Sequence, residues 1–280
     1  MTAVVHAGPE TDLASDADVR VVRRRLGPGR RLRFTFWVGP ALLLAIWSLG
    51  SATGVISPAV LTAPWDVVKA LQDQWVNHDL LGNILSSLTR AAIGLGFGVV
   101  AGTVLAVVSG LSRVGEALID GPIQIKRSLP TLALIPLFIA WFGIGEEMKI
   151  TTIALISMLP IYINTHNGLR SIDGRYAELA ETLELGRGEF LRQVVLPGAL
   201  PGFLLGLRFA VTWSLLGLVV VEQYNATSGI GHMMTLAGEY GETDVLVVGL
   251  VLYGLFGFLA DSAVRLTERK VLGWRRTLEN

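Results

Sequence analysis

Apolar stretches recur along the whole chain, and the charged residues gather in the shorter segments between them. The first, "FTFWVGPALLLAIWSLGSA" (34–52), carries no charge. Its length is close to the ~20 residues a helix needs to cross a bilayer. Five further stretches, at 84–110, 118–142, 149–167, 199–221 and 244–264, follow the same pattern. The predicted fold is all-α, a polytopic membrane bundle of about six transmembrane helices. Pro122, Pro130 and Pro136 interrupt the third span and Pro160 the fourth. Such prolines are tolerated where neighbouring helices cover the freed carbonyls.

Composition agrees with the pattern. Of 280 residues, 51% are hydrophobic and 16% charged, and the mean hydropathy is +0.55. Soluble domains carry about a quarter charged residues, so one bundle in lipid replaces the soluble cores that the length alone would allow. Three regions are expected: an acidic then basic N-terminal tail (1–33), the spanning domain (34–265) and a basic C-terminal tail (266–280). The first 19 residues hold Glu10, Asp12, Asp16 and Asp18 and lack the basic-then-apolar start of a signal peptide. That stretch reads as a solvated, disordered leader.

Net charge is formally zero but unevenly placed. Arg20, Arg23, Arg24, Arg25, Arg30, Arg31 and Arg33 precede the first span. Alone, such a run suggests nucleic acid; beside an apolar span it is the flank that holds the N-terminus in the cytoplasm. Alternate segments then sort by charge. Segments 53–83, 143–148 and 222–243 are acidic, whereas 168–198 and the C-terminus carry arginines. Both termini, and 168–198 with them, are therefore expected on the cytoplasmic side. No nucleic-acid partner is expected.

The second span carries Gly94, Gly98, Gly102, Ala106 and Gly110, one every four residues. That spacing lines one helix face with small side chains and lets another backbone approach. The partner is either within the chain or in a second copy.

Several chemistries lack their residues. None of the four lysines follows a glycine as a phosphate-binding loop requires, and the histidines form no HExxH pair. The frame of a serine nucleophile elbow is absent, and the chain has no cysteine. No catalytic residue, metal or cofactor is expected.

The segment between the fourth and fifth spans has its own periodicity. Tyr176, Leu179, Ala180 and Leu183 recur at helical spacing, with Glu178, Glu181 and Glu184 mostly elsewhere. Gly186 and Gly188 break the pattern, and a second short helix is expected near 189–195. Leu196-Pro197 is expected to end it, because proline disfavours helix at the residue before it. A charged amphipathic helix between two spans suits docking on a soluble partner. An interfacial helix lying on headgroups is the alternative, and the acidic residues count against it on an anionic leaflet.

Here the chain resembles the membrane permease subunit of bacterial ABC importers. Glu178-Leu179-Ala180 and Leu196-Pro197 match that family's cytoplasmic motif. "SSLTRAAIGLGFG", "LPTLALIPLFIAWFGIGE", "LPGALPGFLLGLRFAV" and "VVVEQYNATSGIGHMM" are similar to the branch serving nitrate, taurine and aliphatic sulfonates. One position departs from the motif. Aligned from the Leu-Pro, the family's glycine falls at Glu184, and Gly186 lies two residues later. The turn is then either shifted or made by Gly186 and Gly188.

The resemblance implies a homodimeric pathway in a bacterial inner membrane. Two separate ATPase subunits would hold ATP and magnesium and grip the 176–197 segment. An extracytoplasmic binding protein would deliver a small anion, a sulfonate or taurine before nitrate or bicarbonate. Candidate pathway residues are the polar ones inside spans: Arg90, Thr165, His166, Asn167 and Arg208. Arg90 has snorkelling to the interface as its alternative. Lys126 and Arg127 read as interface anchors, and Glu222 and Gln223 as loop organisers. Two other classes stay open, a membrane scaffold without transport and an intramembrane enzyme.

Overall fold

The computed structural model describes residues 35–274 except Ala59 and Asn225. The expected tail at 1–33 and the last six residues lie outside the described residues. The chain divides into two units inside its first helix, between Ala45 and Ile46. Helix α1 (Thr35–Ala52) begins the described chain and runs through Pro40. The second unit holds the rest.

Helix α2 (Pro64–Asn77) lies in a stretch expected to be a loop. Its start follows from Pro64 at the first helical position and Asp66 in the first turn. Asp79, in the left-handed region, then accepts a hydrogen bond from the Gly82 amide and opens α3 (Leu80–Leu111). Ser112 caps α4 (Arg113–Ser128) in the same way, accepting from the Gly115 amide.

The expected third span is broken. Helix α4 and the run Thr131–Phe142, which contains α5 (Ile135–Phe142), meet at 91°. Pro130 is the cause, since it offers no amide and forces extended backbone on Leu129, at φ −93°, ψ 123°. Pro122, by contrast, sits inside α4 and Pro160 inside α6 (Glu146–Arg170) without ending either.

Helices α7 (Arg175–Thr182) and α8 (Arg187–Phe190) follow, then α9 (Leu196–Gln223), α10 (Ile230–Tyr240) and α11 (Thr243–Val271). Among the described residues, four runs are long and apolar enough to cross a membrane: α3, α6, Arg187–Gln223 and α11. The broken pair makes a fifth if counted as one span.

Helix α6 is the centre of the bundle, and small residues bring its neighbours close. A Cβ on Gly98 would stand 2.0 Å from Ser157 Oγ and 2.6 Å from the Ala154 carbonyl oxygen. One on Gly102 would meet the Met158 carbonyl oxygen at 2.6 Å, and one on Gly94 the side chain of Ile153. The seam foreseen on α3 therefore packs within the chain. A second seam has the same period. Gly202 and Gly206 on α9 press the Asn164 and Pro160 carbonyls of the same α6, with Ala210 fully buried in line.

Two apolar clusters close the ends of the bundle. At one end α2, α10 and α11 share Val67, Ala70, Met233, Met234, Val248 and Leu252. At the other, Leu169, Val195 and Ala199 join α6 to α9, with Val107, Phe190 and Leu191 packed on them. These are the α10 end and the α7 end below.

Candidate functional site: a docking segment and a buried charge network

At the α7 end the chain leaves α6 and turns at Asp173. Its carboxylate accepts from the Arg175 amide at 3.0 Å and from Arg175 Nε at 2.8 Å. Those bonds hold the Asp173 carboxyl below the usual carboxylate range. Helix α7 buries Ala180 and exposes Tyr176, Leu179 and Leu183, at 54%, 53% and 61%. These three large apolar side chains line one exposed stripe. Glu178 is exposed on the same short helix.

The turn after α7 resolves the displaced glycine. The Glu184 amide donates to the Glu181 carbonyl, and the Leu185 amide donates to the Ala180 carbonyl at 2.9 Å. That pair of bonds is a Schellman motif, whose turning residue must be left-handed. Glu184 takes that conformation itself, at φ +53°. The turn is neither shifted nor made by the later glycines. Gly186 is extended, at φ −64°, ψ 148°, and starts α8.

Leu196-Pro197 does not end the following helix, contrary to the expectation. Helix runs without a break from Arg187 to Gln223. Residues Leu191–Val195 form a π-turn, in which the Leu196 amide donates to the Leu191 carbonyl. The wider turn shifts the carbonyls that the proline ring would otherwise strike. The exposed α7 stripe is thus joined, through one turn, to a continuous rod that crosses the bundle.

Thr165, His166 and Asn167 occupy two different settings. Thr165 is buried, and its hydroxyl finds no hydrogen-bond partner among the described residues. His166 Nδ1 lies 2.7 Å from Ser109 Oγ, and its ring stacks on Tyr162. Tyr162 donates to Asp120. His166 and Asn167 line a cleft of about 170 Å³ with Asp120, Gln124, Arg127 and Tyr162. Arg127 is therefore a cleft residue. Lys126 turns inward, and its Nζ donates to the Leu155 carbonyl at 2.8 Å. Arg208 pairs with Asp261 at 2.6 Å and ties α9 to α11; Arg265 pairs with the same carboxylate.

Arg90 is the hub of the α10 end. It does not snorkel, since only 6% of its side chain is exposed. Its Nε and Nη2 donate to the two oxygens of Glu146 at 2.6 and 2.8 Å. Its Nη1 donates to Glu222 Oε1 at 2.8 Å and to the Ser228 carbonyl at 2.6 Å. Glu222 is fully buried. It accepts from Ser87, from Tyr253 at 3.0 Å and from the Gly231 amide at 2.9 Å. Its reading as a loop organiser is apt in kind, because those bonds fix the start of α10 against α3, α9 and α11. Gly229 must be glycine here. Its φ is +116°, and a Cβ would stand 2.5 Å from Glu222 Oε1.

The sequence reading missed Glu146, Ser87, Ser228, Tyr253 and Asp261 as partners. The signal for one of them, Ser87, was present. Ser87 and Arg90 are polar residues three apart in an apolar span, so they share a face and need a common partner.

Comparison with known proteins bears on the whole chain. Residues 94–273 match the model of the binding-protein-dependent transport system inner membrane component. The chain is 43% identical over 243 residues to the aliphatic sulfonates transport permease protein SsuC of Escherichia coli (strain K12), covering 87% of this chain and 92% of that one. It is 38% identical over 265 residues to the protein of the same name from Bacillus subtilis (strain 168), covering 94% and 95%. The taurine transport system permease protein TauC of Escherichia coli (strain K12) is 34% identical, covering 84% and 87%. In fold, the chain is similar to an amino acid ABC transporter solved with histidines. That match has a TM-score of 0.59 and 16% identity, and covers 68% of this chain and 92% of that one.

Proposed function

The chain belongs to the family of binding-protein-dependent transport system inner membrane components, and from that premise we propose that it carries aliphatic sulfonates through the membrane. It is a permease subunit of an ABC importer, a transport component and not an enzyme. The observation that carries the substrate is the identity of 43% and 38%, over about nine-tenths of the chain, to two permeases named for aliphatic sulfonates. The taurine permease, at 34%, stands next.

In this reading the energy comes from separate subunits that bind ATP and magnesium. The exposed Tyr176–Leu179–Leu183 stripe is the surface an ATPase subunit covers. Closure of the ATPase pair moves α7, and the continuous 187–223 helix carries the displacement into the bundle. A ligand shifts such an equilibrium only through different affinities for its two states. The α7 contacts must therefore differ in strength between them. Two copies of the chain enclose the pathway, the α7 end faces the cytoplasm, and a binding protein delivers substrate at the α10 end.

The test is growth. In a host lacking its own sulfonate importers, this chain with its ATPase and binding protein should restore growth on ethanesulfonate as sole sulfur source. No rescue by any alkanesulfonate, with rescue of nitrate or bicarbonate uptake instead, would overturn the substrate.

A further inference from the structure

The carboxylate of Glu146 occupies a position made for an anion. Arg90 offers it Nε at 2.6 Å and Nη2 at 2.8 Å, and Lys149 adds Nζ at 3.1 Å. Both cations are buried, with side chains 6% and 3% exposed, whereas that of Glu146 is 52% exposed. The second carboxylate of the network cannot leave in the same way. Glu222 is fully buried and held by Ser87, Tyr253 and the Gly231 amide.

Two buried cations thus face one fixed carboxylate and one detachable one. When Glu146 swings into solvent, the cations are short of one negative charge, and burial makes that deficit costly. Whatever replaces Glu146 must be a monoanion that accepts from a guanidinium edge and an ammonium together.

We propose that Arg90 and Lys149 form a monoanion-binding site with Glu146 as its built-in occupant, and that a sulfonate displaces Glu146 to bind there. A sulfonate is a permanent monoanion with three acceptor oxygens. Departure of Glu146 frees three donors: Arg90 Nε, Arg90 Nη2 and Lys149 Nζ. The guanidinium edge takes two oxygens of an oxyanion side by side. Exchange of one anion for another keeps the charge count, so the cations are never left bare. Ser228 Oγ, 3.1 Å from Arg90 Nη2, borders the site. It also lines a cleft of about 520 Å³ with Asn83, Ser86, Thr227 and His232, which gives an approach from the α10 end. The identity of the ligand rests on the sulfonate reading above; the anion site rests on geometry alone.

Equilibrium binding of labelled ethanesulfonate to the full chain, purified with its ATPase subunits, tests the inference. Glu146→Gln removes the competing internal anion and should bind about tenfold tighter than wild type, because the unoccupied state is no longer the minor one. Glu146→Asp, with a shorter reach, should fall between them. Adding Lys149→Gln to Glu146→Gln should abolish the gain. A merely structural ion pair predicts lower thermal stability in all three and no gain in affinity. Unchanged affinity in an assembled Glu146→Gln overturns the site, as does unchanged affinity in Glu146→Asp if Glu146→Gln does not assemble. Tighter nitrate binding without tighter ethanesulfonate binding keeps the site and overturns the sulfonate. Growth on sulfonate without any gain in Glu146→Gln does the reverse.

Discussion

Glu184 shows what one residue costs a turn. A left-handed conformation costs an L-residue roughly 1–2 kcal/mol, and the Schellman motif demands it at this position. Glu184→Gly should remove that strain at a smaller entropic cost and stabilise the turn by about 0.5–1 kcal/mol. Hydrogen exchange reads it directly: the Leu185 amide, held by the Ala180 carbonyl, should exchange several-fold more slowly. Faster exchange would mean that the glutamate side chain contributes more than the strain. The sequence marked this position as anomalous, but local pattern favoured the nearby glycines, since nothing in composition reveals a φ angle. The partners of Glu222 went unread for a similar reason. Only the fold brings Arg90, Ser87 and Tyr253 around it. Glu222→Ala leaves the Arg90 guanidinium buried with one carboxylate and should cost about 3–5 kcal/mol. It should show as a large drop in melting temperature in detergent, against a small one for exposed Glu178→Ala.

Between elements, small residues decide how close two helices come. The α3 seam was legible because five small residues share one register. Its partner was not, because α6 presents backbone carbonyls and medium side chains that carry no periodic signature. The second seam on α9 has a sequence signal of equal strength, in Gly198, Gly202, Gly206, Ala210 and Ser214, and it went unread amid the Leu-Pro motif. Two glycines on α3 make a controlled comparison. Gly98→Ala places a Cβ 2.6 Å from the Ala154 carbonyl oxygen, which is backbone and cannot swing aside. Forcing the helices apart should cost about 1–3 kcal/mol. Gly96→Ala meets nothing within 4 Å and should leave the melting temperature unchanged or slightly raised. Equal behaviour of the two variants would show that the α3–α6 seam does not limit stability. Helices α2 and α10 were read as loops because hydropathy registers only spans. Their signals were local ones, the Ala63-Pro64 start and the Gly229 turn.

For the molecule as a whole, the charge asymmetry makes a directional claim that no single helix can. Arginines cluster around α7 and at the C-terminus, and acidic residues around α2 and α10. The positive-inside rule then predicts the α7 end on the cytoplasmic side. The absence of cysteine makes the claim easy to test, since a single introduced thiol reports alone. Gly188 and Gly238 are exposed, and a Cβ at either meets nothing within 4 Å. Neither substitution should disturb the fold. Gly238→Cys, near the end of α10, should react with a membrane-impermeant maleimide in intact spheroplasts. Gly188→Cys, at the start of α8, should react only after permeabilisation. The same thiol at Gly188 tests the docking surface. It lies four residues past the Glu184 turn that follows α7. Adding the ATPase subunits should slow its labelling at least several-fold while Gly238→Cys labels as before. Labelling of Gly188→Cys from outside would invert the topology. Labelling from inside at an unchanged rate with ATPase bound would keep the topology and remove α7–α8 from the contact.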